Sequence, residues 1–89
     1  MKLQEWFTDE SKWSQGADFR DSAGSPLLTK SGVSATCLMG AILICTTDED
    51  KRGQLIDMIC ATIGNITVWN DNPERTFEDI VSLVTKLNI

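Results

Sequence analysis

Apolar side chains fall into helical periods at four places along the chain. Leu3, Trp6, Phe7 and Glu10 are spaced for a short amphipathic helix over about Lys2–Ser11, weakened by Thr8 and Asp9. From Ala35 to Cys45 nearly every side chain is apolar, which predicts a central helix surrounded by protein on most sides, with Ser34 as its N-cap. Gly40 costs such a helix about 1 kcal/mol relative to alanine. Next to Ala41, it marks a point where another helix or a loop comes close. A third helix over Asp50–Ile63 aligns Arg52, Leu55, Ile56, Ile59, Cys60 and Ile63 on one face. Asp48, Glu49 and Asp50 suit its positive end, and Gly64-Asn65 ends it. After Asn70-Asp71-Asn72-Pro73, Thr76 and Asp79 have the spacing of a capping box with the shorter carboxylate. They open a last helix with Phe77, Ile80, Val81, Val84 and Leu87 on one face.

Between these periods the pattern breaks. From Trp13 to Ser34, Gly16, Gly24 and Gly32 combine with Ser22, Ser25, Pro26 and Ser31 to forbid a long helix. Within this excursion Ala17–Asp21 and Pro26–Thr29 can pair as a small hairpin across Ser22-Ala23-Gly24-Ser25, provided helices pack against it. Ile66–Trp69 is short and β-branched, and reads as an extended segment. The fold class is therefore mainly α: a small four-helix domain with a loop-rich insertion and a short β-hairpin, in a single domain spanning residues 1–89. So small a core leaves a thin margin of stability, which makes a homo-oligomer formed through a leftover apolar face a reasonable expectation.

Composition narrows the function classes. The 89 residues are 42% apolar and 24% charged, the balance of one folded domain, and the longest apolar stretch, Cys37–Cys45, is far shorter than the roughly 20 residues of a membrane span. Thirteen acidic against eight basic residues give a net charge of −5, which disfavours a nucleic-acid binder. Lys12, Arg20, Lys30, Lys51, Arg52, Arg75 and Lys86 are interspersed with the acids, which disfavours DNA mimicry. The chain has no histidine, so it lacks the commonest general base and the mixed Cys/His zinc sites. Cys37, Cys45 and Cys60 lack CxxC spacing and sit among apolar residues, which predicts buried free thiols in a reducing compartment. The first residues lack the apolar region of a signal peptide, so a cytoplasmic location is expected and the Asn65-Ile66-Thr67 sequon is coincidental. No metal or cofactor is called for: there is no glycine-rich phosphate loop, Walker lysine, EF-hand or aromatic-basic nucleic-acid motif.

Two groups of residues could carry recognition. Trp69, Asn70 and Asp71, with Arg75 nearby, could offer an indole, two polar groups and a planar donor to a carboxylate or phosphate. Equally, Trp69 could anchor the core, Asn70 and Asp71 could bond their own turn, and Arg75 could pair with Asp71 or Asp21. Trp13, Gln15, Arg20 and Asp21 form the second group, on the loop-rich excursion. If the groups converge they make a pocket, although a tryptophan beside a guanidinium could also serve only to brace the loop. Cys37 at a helix N-terminus has the position of a nucleophile but no histidine base, and a tight helix contact is the simpler role. Asp21 and Asp71 could be drawn as a catalytic carboxylate pair, yet nothing fixes their separation. No residue is assigned a catalytic role.

Three motifs in order, Trp13-Ser14-Gln15-Gly16-Ala17, Cys37-Leu38-Met39-Gly40-Ala41 and Trp69-Asn70-Asp71 followed by Arg75-Thr76, resemble an uncharacterised family of small bacterial and phage domains. The resemblance covers about Trp13–Leu87, while the short N-terminal helix and the serine-rich segment before Ala35 depart from the family's pattern. It implies a shared fold and a bacterial or phage origin, with no activity to transfer. The resulting expectation is a small non-enzymatic binding module, a phage-encoded inhibitor that contacts a host defence or regulatory protein, with Trp6, Trp13, Trp69 and Arg75 as anchors wherever they are exposed. The alternative is a binder or sponge for a small anionic ligand such as a nucleotide, using Arg20 or Arg75.

Overall fold

The computed structural model describes every residue from Met1 to Ile89. Helix α1 (Leu3–Trp6) leads into a 3-10 turn at Glu10–Lys12, followed by strands β1 (Phe19–Arg20), β2 (Pro26–Leu27) and β3 (Ala35–Thr36). Helices α2 (Leu38–Cys45), α3 (Glu49–Ile63), α4 (Ile66–Asn70) and α5 (Phe77–Lys86) complete the chain. It is mainly α, with five helical segments and a small antiparallel sheet of order β2-β1-β3. The register pairs Phe19 with Leu27 and with Thr36.

The all-apolar α2 is the centre of the core, as its composition predicts. Leu38, Ala41 and Ile42 are completely buried, and Leu3 and Phe7 from the N-terminal segment, Ile59 of α3, Ile66 of α4, and Ile80, Leu83 and Val84 of α5 close around them. Phe7 meets the ring of Phe77 edge-on at 6.4 Å, which ties the N-terminal segment to α5. Arg52 seals the C-terminal end of α2 by donating from Nε to the Thr46 carbonyl at 3.1 Å, where a cation also meets the negative end of the helix dipole. The capping box at Thr76 and Asp79 opens α5, and Gly64, with φ of +78°, ends α3.

Four expectations need correction. The N-terminal helix does not run through Ser11: it stops at Trp6, and Asp9 caps a separate 3-10 turn by accepting from the Ser11 N–H. Ser34 does not cap α2; Ala35 and Thr36 pair with β1 instead, and the Cys37 sulfur accepts from the Gly40 N–H at the helix start. Ile66–Trp69 is not extended. It forms α4, because Asn65 caps it by accepting from the Val68 N–H and because the helix turns Ile66 and Asn70 together into the interior, overriding β-branched propensity. Finally, Cys37 and Cys45 are buried but Cys60 is exposed. The hairpin forms at its expected place, shorter than drawn, with Asp21 Oδ1 accepting from the Ala23 and Ser25 N–H groups across the turn.

Candidate functional site

The loop after Trp13 and the turn after α4 converge, and Asn70 is where they join. Its side chain is completely buried, the costliest setting for an amide, and all its surroundings are arranged to satisfy it. Asn70 Oδ1 accepts from the Trp13 indole N–H at 2.8 Å and from the Leu38 backbone N–H at 3.0 Å. Asn70 Nδ2 donates to the Ser14 carbonyl at 3.1 Å and to Asp71 Oδ1 at 2.9 Å. The Leu38 N–H belongs to the first turn of α2, which has no intrahelical acceptor for it. One amide therefore holds the excursion, the start of the central helix and the end of α4.

Neighbouring bonds repeat the pattern. Gln15 Nε2 donates to the carbonyls of Asn70 and Asn72, both at 2.9 Å, and the Gly16 N–H donates to Asp71 Oδ1 at 3.0 Å. Arg20 donates to the carbonyls of Gln15 and Gly24, both at 2.9 Å, which links the hairpin to the same loop. Asp21 stands apart from this network and bonds within the hairpin turn, so Asp21 and Asp71 do not act as a pair. Arg75 pairs with neither of its expected partners. It donates from Nε to the Trp69 carbonyl at 2.8 Å, lies 3.9 Å over the Trp69 ring, and reaches Asp79 at 3.7 Å. The stack supports the α4–α5 turn, and backbone hydrogen bonds at Thr76, aided by Arg75, hold the Asp79 carboxyl below its usual range. All three tryptophans are half-buried, and the Trp6 indole donates to Thr36 Oγ1 at 2.9 Å.

The C-x-x-G-A motif forms a second contact on the other side of the excursion. The Asp18 backbone packs directly onto Gly40 of α2, leaving no space for a Cβ there. This is the close approach that Gly40 foretells, made by a loop. Asp18 Oδ1 also accepts from the Cys37 thiol at 3.3 Å. Burial pushes the Cys37 thiol up from 9.0 to about 11, with the Gly40 N–H opposing and Asp18 adding to the shift, and burial likewise raises Cys45. A thiol so held is protonated near neutral pH, which is opposite to what a nucleophile needs. Because the folded state keeps this proton while the unfolded chain loses it, Cys37 contributes stability that is full below pH 9 and lost as pH rises toward 11. Urea titrations across that window should show the decline in the wild type and a shallower one in Cys37→Ala.

Ser14 Oγ is buried beside Asn70 without a partner. Ser14→Ala is therefore expected to be neutral or stabilising by up to about 1 kcal/mol, measurable by urea unfolding.

The eight candidate residues thus sort into an interlocking set (Trp13, Gln15, Asn70 and Asp71), two bracing arginines (Arg20 and Arg75), the stacked Trp69, and Asp21 in its turn. Sequence reasoning missed Ser14, Thr36 and the Leu38 N–H as partners. The available signal was Asn65 as a cap followed by Ile66, Trp69 and Asn70 at helical spacing, which would have turned Asn70 inward. No three Cys, Asp or Glu side chains cluster as metal ligands, and no cavity opens at the surface.

No curated protein and no solved structure matches the chain. The model of a family of unknown function, DUF6197, matches residues 7–87, extending the resemblance seen from Trp13 back to Phe7. The chain belongs to that family.

Proposed function

We propose that this protein is a small non-enzymatic binding module, a phage-encoded inhibitor that acts by contact with a host defence or regulatory protein. The observation that carries the reading is Leu28. It is 102% exposed, just past β2 in the connection to β3, and every residue from Leu28 to Gly32 is exposed. A fully exposed leucine on a limb between two paired strands suits insertion into an apolar pocket of a partner, where a few anchors supply most of the binding energy. Lys30 is the only charge between Asp21 and Asp48, so the limb offers a cation and an apolar tip from an otherwise acidic molecule. The tryptophans and Arg75 are engaged within the fold, which moves the expected anchor from them to this limb.

The test is affinity capture from bacterial lysate with the wild type and Leu28→Asp, joined to a photo-crosslinking residue at position 28. The expected result is a stoichiometric protein partner, crosslinked through position 28 and lost at least tenfold in the variant. Failure to recover such a partner, equal capture by both proteins, or a nucleotide that stabilises the pure protein through Arg20 or Arg75 contradicts the reading.

A further inference from the structure

An endopeptidase binds its substrate as an extended strand, so it cuts a folded protein where a segment can leave the structure without taking the core with it. The segment from Leu28 to Val33 meets that condition. Leu28 to Gly32 are all exposed, and no side chain of the segment belongs to the core. Its backbone makes one hydrogen bond to another backbone group, from the Val33 N–H to the Lys30 carbonyl at 3.2 Å, and Thr29 Oγ1 accepts from the Ser31 N–H at 3.4 Å. Firm pairing resumes on both sides. Leu27 faces Phe19 in the sheet, and the Ser34 N–H donates to the Arg20 carbonyl at 2.7 Å. The limb can therefore open while the sheet stays closed.

Of the eight basic residues, Lys30 alone lies in such a segment. Lys2 donates to Asn88 Oδ1 at 2.7 Å and precedes buried Leu3. Lys12 belongs to the 3-10 turn, with its ammonium 4.7 Å over the Trp6 ring. Arg20 sits in the central strand and donates to two carbonyls. Lys51 and Arg52 lie within α3 and Lys86 within α5, while Arg75 stacks on Trp69 immediately before the capping box of α5. A protease reaches the bonds beside these residues only by unwinding a helix or opening the core.

The geometry points to the Lys30–Ser31 peptide bond as a processing site for an endopeptidase whose specificity pocket takes a basic side chain. A carboxylate at the base of such a pocket pairs with the lysine ammonium. Hydrolysis adds one water across the amide, leaving a carboxylate on Lys30 and an ammonium on Ser31. The nicked product stays folded, because each piece holds the other. The piece ending at Lys30 supplies β1, Leu3 and Phe7, and the piece beginning at Ser31 supplies β3 and the helices that enclose them. Trp13 and Gln15 bond across the nick to Asn70, and Asp18 packs on Gly40. The site does not depend on the contact proposed for Leu28.

Trypsin at a low ratio to the native full chain is the probe, read by intact mass and by gel filtration. The expected result is a first cut at Lys30–Ser31 and accumulation of the pieces 1–30 and 31–89, which elute together with circular dichroism unchanged, while Lys30→Gln survives at least about tenfold longer. A first cut beside any other Lys or Arg, equal survival of Lys30→Gln, or pieces that separate on native gel filtration overturns the inference. So does direct loss of the chain to small peptides, since the bond is then reached only through global unfolding.

Discussion

Asn70→Ala is expected to lower the unfolding free energy by about 3 to 5 kcal/mol, far above the typical point mutation. The truncation removes no large apolar surface. It leaves the Trp13 indole N–H, the Leu38 N–H and the Ser14 carbonyl without their partner in the interior, and each such group costs about 1 to 3 kcal/mol. Urea unfolding measures the loss, and a change below about 1 kcal/mol would mean that water replaces the amide without penalty. Asn70→Asp separates the two halves of the side chain. It keeps the acceptor for Trp13 and Leu38 but loses the donor to Ser14 and places a carboxylate against Asp71, so it should also destabilise. Hydrogen exchange should locate the damage: in Asn70→Ala, amides between Ser14 and Thr36 should open before those of α5.

Gly40→Ala should be as damaging for the opposite reason, too much matter instead of too little. Alanine favours a helix over glycine by about 1 kcal/mol, so propensity alone predicts stabilisation. The new methyl would overlap the Asp18 carbonyl, which belongs to backbone, and would lie 3.0 Å from Thr36 Cβ. Neither neighbour can swing aside as a flexible side chain can. Overpacking of this kind costs roughly 3 kcal/mol or more, and thermal unfolding should show the excursion detaching or the domain failing to fold. Gly53 provides the control. It lies in α3 with nothing within 4 Å of its would-be Cβ, so Gly53→Ala should stabilise by about 0.5 to 1 kcal/mol. The same substitution thus changes sign between two helices according to what stands over the glycine.

Both variants strike contacts made by the three sequence motifs. Trp13 through Ala17 and Trp69 through Asp71 bond to each other, and Cys37 through Ala41 receives Asp18 while offering its Leu38 N–H to Asn70. Helices α3 and α5 are legible because their apolar periods are long and capped, α2 because its side chains are nearly all apolar, and the hairpin because its turn residues are strong. Gly40 was legible as a close approach, although its partner was not. Helix α4 was obscured because its five residues are rich in β-branched side chains, and it exists through tertiary burial of Ile66 and Asn70. The strand at Ala35–Thr36 was obscured because its partners are distant in sequence: β1, 15 residues upstream of Ala35 at Arg20, and Trp13 beyond it. The Asn70 network was obscured for a related cause. A polar residue in an Asn-Asp-Asn turn suggests solvent, and only the inward rotation of α4 makes it interior.

The central claim is that these motif residues lock the excursion to the helices from inside. Exchange of the tryptophan indole protons, followed by NMR in deuterated solvent, tests it most directly. The Trp13 indole proton, bonded to buried Asn70, should exchange about as slowly as the core amides of α2 in the wild type and quickly in Asn70→Ala. A Trp13 proton that exchanges in the wild type as fast as in the unfolded chain would contradict the lock.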